Sequence, residues 1–440
     1  MRKFLDEVKE RVLVYDGSKG YLLQQLGLKG GECGEYWNIS DPEKVKSVYR
    51  AYKEAGADVI QTNTFPGNRA NLEKFGLGDK TYEINYEGAR LAREVMGRDG
   101  FVAGSVGPTG KLFEPSGELT FEHAYEIFRE QVQALVDGGV DLINFETFTD
   151  LAEMRAALLA ARETANIPVI CSLAFEANGR TLMGTDPYTA AVILKSLGAD
   201  LVGINCSYGP AELMGILKEM NRAGVSYLCF KPNAGLPEVV DGCTVYRASA
   251  KDFSDRMPQI VENGVRLIGG CCGTTPEFIK AVRESLSGLK ARPLDRKVEY
   301  VIASPVKRLS LHEEGLQIGI LDLEKDEKLA LQLSGGDPDE ITDWALDVAS
   351  EGYNAVYIRT GKTDGRPGLL AEIVNIAQGY IREPFIIETE DPQALESALR
   401  VYRGKAGVIL DDYPAEIKEE LLRASMKYGS TLVNRGLVQA

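Results

Sequence analysis

Four stretches of this chain follow one plan: Ala55-Gly56-Ala57-Asp58-Val59-Ile60, Gly138-Gly139-Val140-Asp141-Leu142-Ile143, Leu197-Gly198-Ala199-Asp200-Leu201-Val202 and Asn263-Gly264-Val265-Arg266-Leu267-Ile268. Each reads as a helix end, a glycine at the C-cap and a short apolar strand, which is how a parallel αβ repeat is written. Taken in order, the apolar runs give eight strands: 12–16, 59–62, 101–105, 142–146, 169–175, 201–205, 227–231 and 266–269. Amphipathic segments such as 42–54, 82–96, 121–137, 151–164 and 187–197 lie between them. The pattern predicts an α/β chain whose first domain is a (β/α)8 TIM barrel, with a doubly wound open sheet as the alternative.

The barrel is expected to span residues 1–289. A polar, proline-containing stretch with Lys290, Arg292, Arg296 and Lys297 follows, and 290–315 reads as a linker with some local structure. Residues 316–440 alternate again, with helices over 339–352, 369–380, 392–402 and 415–428 and strands over 355–359, 385–388, 408–410 and 431–433. That is a second, smaller α/β domain, about half a barrel in length.

Composition narrows the function. The 440 residues are 44% hydrophobic and carry a formal net charge of −15, which argues against nucleic acid or an anionic membrane as partner. No apolar run reaches membrane-spanning length, and the first residues lack the apolar core of a signal peptide. Seven scattered cysteines form no disulfide framework, so a reducing, cytoplasmic location is expected.

In a barrel, function lies at the C-terminal ends of the strands. Here those ends hold Asp16-Gly17, Gln61-Thr62-Asn63-Thr64-Phe65, Gly107-Pro108-Thr109-Gly110, Glu146-Thr147, Asn205-Cys206-Ser207 and Lys231-Pro232-Asn233-Ala234-Gly235. The eighth end is the run Gly269-Gly270-Cys271-Cys272-Gly273-Thr274-Thr275-Pro276. Adjacent strand residues point to opposite faces, so two sulfurs aimed at one centre need a bent backbone, which the glycines allow. With Cys206 from strand six, the pair would make a three-cysteine site for Zn2+ with its fourth position open to an incoming thiol. Zinc would hold that thiol as a thiolate at neutral pH, without a protein base. Asn233, at the strand end between them, offers an oxygen for the fourth position when no thiol is bound; the alternative is an ordinary turn residue. Cys171 and Cys229, inside strands, read as small buried side chains. His123 and His312, the only two histidines, read as ordinary polar positions.

Residues about 10–289 resemble the homocysteine S-methyltransferase family, in particular its cobalamin-dependent methionine synthase branch. The resemblance rests on Asp16-Gly17, Thr62-Asn63-Thr64-Phe65, the run from Ala103 to Gly110, Glu146-Thr147-Phe148-Thr149-Asp150, Asn205-Cys206-Ser207, Pro232-Asn233-Ala234-Gly235 and the run from Gly269 to Pro276. It implies a homocysteine thiol activated by zinc on Cys206, Cys271 and Cys272, and a methyl group transferred to it to give methionine. It places Glu146 opposite the substrate ammonium and brings Asp16, Asn63 and Asn233 into substrate binding. Two departures touch the expected mouth. Asp16-Gly17-Ser18-Lys19-Gly20-Tyr21 stands for the family's Asp-Gly-Ala-Met-Gly-Thr, and Gln61 stands for its glutamate.

The second domain weakly resembles the first part of the pterin-binding barrel that follows in methionine synthase, without the polar strand ends that grip the pterin. A truncated domain with no bound folate is expected, docking the barrel or a partner. With no corrinoid-binding domain in this sequence, a methylcobamide donor would arrive on a separate protein. The alternatives are a sulfonium or betaine donor, a different thiol acceptor, or a non-catalytic subunit that binds a corrinoid protein.

Overall fold

The computed structural model describes residues 3–114, 116–240, 243–291, 293–294, 297, 300–325, 330, 338–361, 368–411 and 413–438. It divides into two compact units, 1–183 with 199–297, and 184–198 with 298–440.

The first unit holds eight parallel strands: β1 (Leu13–Val14), β2 (Val59–Gln61), β3 (Phe101–Val106), β4 (Leu142–Phe148), β5 (Val169–Leu173), β6 (Leu201–Asn205), β7 (Tyr227–Lys231) and β8 (Val265–Ile268). Neighbours in sequence are neighbours in the sheet, and β8 pairs with β1. A parallel bridge from Tyr15 to Val59 brings β1 onto β2 and closes the barrel. The expected open-sheet alternative therefore does not apply. All eight strands are buried along almost their whole length, as in parallel strands covered on both faces.

The repeated phrase has a physical job. Its aspartate staples an N–H in the first two residues of the preceding strand, and an arginine neutralises it. Asp58 accepts from Val14 N at 2.8 Å and pairs with Arg11 at 3.1 Å. Asp141 accepts from Val102 N at 2.7 Å and pairs with Arg93. Asp200 accepts from Val169 N at 2.8 Å and pairs with Arg162 at 2.6 Å. The fourth phrase carries Arg266 in that place, and its guanidinium lies 5.0 Å from the centre of the Tyr227 ring at the start of β7. The chain thus repeats every two strands, and only the last repeat exchanges an ionic staple for a cation–π contact.

A helix not foreseen from sequence, Phe4–Glu10, closes the N-terminal end of the barrel. Its Phe4 and Val8 join a core made of one or more residues from every strand, Leu13, Tyr15, Val59, Ala103, Leu142, Ile170, Leu201, Cys229 and Leu267. Sealing that end leaves the opposite, C-terminal mouth for chemistry.

The loop after β3 is tied to the helix Leu151–Thr164, where buried Glu153 accepts from Thr109 N at 2.7 Å and Thr109 Oγ1 at 2.6 Å. Burial outweighs these bonds and pushes the Glu153 carboxyl from 4.5 up to about 7. A raised acid costs nothing at low pH, where both states hold the proton. As pH rises from about 4.5 to about 7 the unfolded chain ionises first and stability falls. Glu153→Gln is therefore expected to gain on the order of 2 kcal/mol over wild type at pH 8 and nothing near pH 4. Urea unfolding of both proteins at the two pH values reads this directly.

The second unit contains a five-stranded parallel sheet in the order Ile318–Asp322, Ala355–Arg359, Phe385–Glu388, Gly407–Val408 and Thr431–Leu432. The strands at 355–359 and 385–388 fall where the sequence places them; the first one, 318–322, was not anticipated. Within the stretch read as a linker, Val301–Ala303 and Arg308–Ser310 form an antiparallel pair. Ile302, Leu309 and Leu311 from that stretch pack into the second unit's core with Tyr357 and Ile386.

Candidate metal and thiol site at the barrel mouth

The ends of β6 and β8 meet at three sulfurs. Cys206, Cys271 and Cys272 place their Sγ atoms within 4.8 Å of one another, with Cys206 and Cys272 at 3.9 Å. Among the described residues this is the only group of three or more His, Cys, Asp or Glu so arranged. Among the described non-glycine residues, Thr147, Cys206 and Ser207 alone have positive φ, at 64°, 64° and 61°. All three lie at or just past the ends of β4 and β6, so the backbone is held in a costly conformation where the sulfurs must be aimed. On the β8 side Gly273 takes φ +75°, and a Cβ there would lie 2.4 Å from the Tyr246 ring.

Side chains around the sulfurs fix them. Asn205 accepts from Thr147 N at 2.7 Å, donates to Thr147 Oγ1 at 2.7 Å and reaches Cys271 Sγ at 3.8 Å. Asn233 Oδ1 accepts from Cys272 N at 3.0 Å. Hydrogen bonds from Cys271 and then Cys272 hold the Cys206 thiol far below its usual value. The same contact with Cys206 drives Cys271 up to about 11 and Cys272 higher still. Three sulfurs this close carry one negative charge readily; further charges need a cation among them. A thiophilic dication fits that donor set.

The sulfurs open onto a cavity of about 590 Å3. Of the residues expected at the substrate, Glu146 and Asn63 line it and Asp16 and Asn233 do not. Asn63 is committed elsewhere, donating to Gly34 O at 2.9 Å and Asn38 Oδ1 at 3.2 Å. Asp16 is fully buried; its Oδ2 accepts from Gln61 N at 2.9 Å and from Lys19 Nζ at 3.3 Å, while Oδ1 has no partner. Of the departures from the family pattern, Lys19 and Gln61 line the cavity; Tyr21, half-buried on the helix Lys19–Gln25, does not.

Glu146 is 3% exposed and engaged on both oxygens. Oε1 accepts from Gln61 Nε2 and from Ser105 Oγ at 2.6 Å; Oε2 accepts from Lys231 Nζ and from Asn144 Nδ2 at 3.2 Å. Lys231 Nζ also donates to Gln61 Oε1 at 2.6 Å and sits 4.4 Å from the centre of the Tyr15 ring. Burial works against that ammonium, but Glu146 foremost among its neighbours outweighs it and raises the Lys231 pKa. Sequence reasoning gave no role to Lys231, Asn205 or Tyr246. The first two stand in quoted strand ends; Tyr246 comes from the hairpin Pro237–Val240 and Cys243–Tyr246, inserted between β7 and β8. Cys171 and Cys229 are buried, where desolvation raises both thiols, Cys229 to about 12.

The sequence model of homocysteine S-methyltransferase matches residues 13–286, which takes in all eight strands and all three sulfurs. The chain belongs to the homocysteine S-methyltransferase family. Among curated relatives, methionine synthase of Mycobacterium tuberculosis is 34% identical over 316 residues, 67% of this chain and 26% of its own length. Methionine synthase of Mycobacterium leprae is 31% identical over 321 residues, 68% of this chain and 26% of its own. The chain thus spans about a quarter of these relatives. The metallated form of the homocysteine methyltransferase MmuM from Escherichia coli superposes with a TM-score of 0.54 at 24% identity, covering 63% of this chain and 96% of that one, which supports the fold.

Proposed function

We propose that this methyltransferase moves a methyl group onto the sulfur of homocysteine, giving methionine, at the mouth of its barrel. The observation that carries this reading is the convergence of Cys206, Cys271 and Cys272 on the wall of a cavity of about 590 Å3. Those three residues would hold zinc, which lowers the pKa of a coordinated thiol so that it is nucleophilic near neutral pH. The strained φ at Cys206 and the bonds from Asn205 and Asn233 keep the sulfurs aimed before substrate arrives. Asn233 would fill the open position only by exchanging its bond to the Cys272 amide. In the transfer the acceptor sulfur gives up its proton to solvent and forms a bond to the methyl carbon, and the donor leaves with the bonding pair.

The donor we favour is a methylcorrinoid, because the chain resembles the cobalamin-dependent methionine synthase branch and the two relatives named above are methionine synthases. The second unit is read as outside folate binding. At its strand ends Glu388 is buried and held by Tyr357 Oη at 2.9 Å, Tyr413 Oη at 3.0 Å, Arg359 at 3.4 Å and Arg435, so both oxygens of this carboxylate are engaged within the unit. Incubation of the zinc-loaded chain with homocysteine and excess methylcobalamin should yield methionine, with the methylcobalamin spectrum lost in step. Homocysteine binding without turnover would transfer the donor role to a sulfonium or betaine. Absence of homocysteine binding would refute the acceptor.

A further inference from the structure

The mouth of the barrel contains its own ammonium groups. Glu146, the carboxylate the family resemblance sets opposite a substrate ammonium, makes four hydrogen bonds inside the protein. Four is about the full capacity of a carboxylate. One of the four donors is Lys231, 1% exposed, whose ammonium is further fixed by Gln61 Oε1 and the Tyr15 ring. Gln61 fits this arrangement in one orientation, its oxygen toward the ammonium and its nitrogen toward the carboxylate. Asp16 repeats the theme, paired with Lys19 at 3.3 Å, a residue 8% exposed that lines the same cavity.

We propose that Lys231 occupies the ammonium position of the acceptor site, so that this chain reads its acceptor through the thiol and the cavity wall and does not require an α-ammonium. The substrate class then widens from homocysteine to alkyl thiols that lack its amino group. Its simplest member is γ-mercaptobutyrate, which is homocysteine without the amino group. Lys231 and Gln61 are the specificity-determining pair, and Glu146 is a positioning residue that holds Lys231. This rests on the proposed thiol methylation at the three-sulfur site.

Calorimetric titration of the zinc-loaded full chain with L-homocysteine and, separately, γ-mercaptobutyrate tests it without a methyl donor. A buried carboxylate reading an ammonium is worth about ten- to a hundred-fold in affinity. Wild type is therefore expected to bind the two thiols within about five-fold of each other. Lys231→Met, which frees Glu146, should shift the ratio toward homocysteine by about ten-fold or more. A wild-type preference for homocysteine above about fifty-fold would overturn the proposal while leaving homocysteine methylation intact. The same holds if a homocysteine preference is present in wild type and lost in Glu35→Gln, since half-buried Glu35 also lines the cavity and its carboxylate is met by Cys33 Sγ at 3.5 Å. Neither thiol binding would refute the functional reading itself. The wild-type comparison needs no variant to fold.

Discussion

Cys272→Ala is expected to lower bound zinc from about one equivalent to under about a tenth after dialysis against a weak chelator, with methyl transfer falling by about a thousand-fold or more. The basis is the donor set. With Cys272 gone, two sulfurs remain and nothing else in the described residues completes a group of three metal-ligating side chains within reach. The fold should tolerate the change, because Cys272 is half-buried and a small side chain replaces it. Plasma emission on purified variant and wild type, with circular dichroism to confirm folding, reads both parts. Stoichiometric zinc in a folded Cys272→Ala protein would refute the ligand set.

The second large effect concerns stability. Glu146→Leu would leave the Lys231 ammonium buried, without its carboxylate partner, in the middle of the barrel mouth. Removing one member of a buried ion pair costs about 3–5 kcal/mol, because the remaining charge has lost its compensation. For a barrel of this size that is a fall in Tm on the order of 10 °C. The double variant Glu146→Leu with Lys231→Met removes both charges and should recover most of the loss. Thermal unfolding of wild type, both single variants and the double variant gives the coupling energy. A Glu146→Leu protein as stable as wild type would mean that Lys231 is paired elsewhere.

The sequence carried the barrel because its repeat is local. A glycine at the helix end, an aspartate and an apolar run fit within six residues, and each phrase announces one strand. The purpose of the aspartate was not legible, since its partners Val14, Val102 and Val169 lie 31 to 44 residues away in sequence. Strand boundaries erred where the chain bends to do something else. The first strand ends at Val14, short of residue 16, because Tyr15 makes the closing bridge and Asp16 turns inward to Gln61 and Lys19. The strand 318–322 was hidden by Gly319, its second residue, a glycine required because the Tyr353 ring lies 2.7 Å from where a Cβ would be.

The cysteine triad was readable for a similar reason: two of its members are adjacent and framed by glycines, and the third ends a clear strand. Lys231 was not. It looks like any polar strand end, and the partner that defines it, Glu146, is 85 residues earlier. Gln61 was visible only as a departure from a pattern, and the structure shows what the departure accompanies. One carboxylate, one ammonium and one amide share the space beside the thiol cavity, and their charges cancel.

Zinc K-edge X-ray absorption on the zinc-loaded chain, alone and with saturating homocysteine, tests most directly whether the three-sulfur mouth activates a thiol. Three sulfur neighbours and one lighter atom are predicted without homocysteine, and four sulfurs with it. A first shell that homocysteine leaves unchanged, or one already closed by four sulfurs in its absence, would contradict the account.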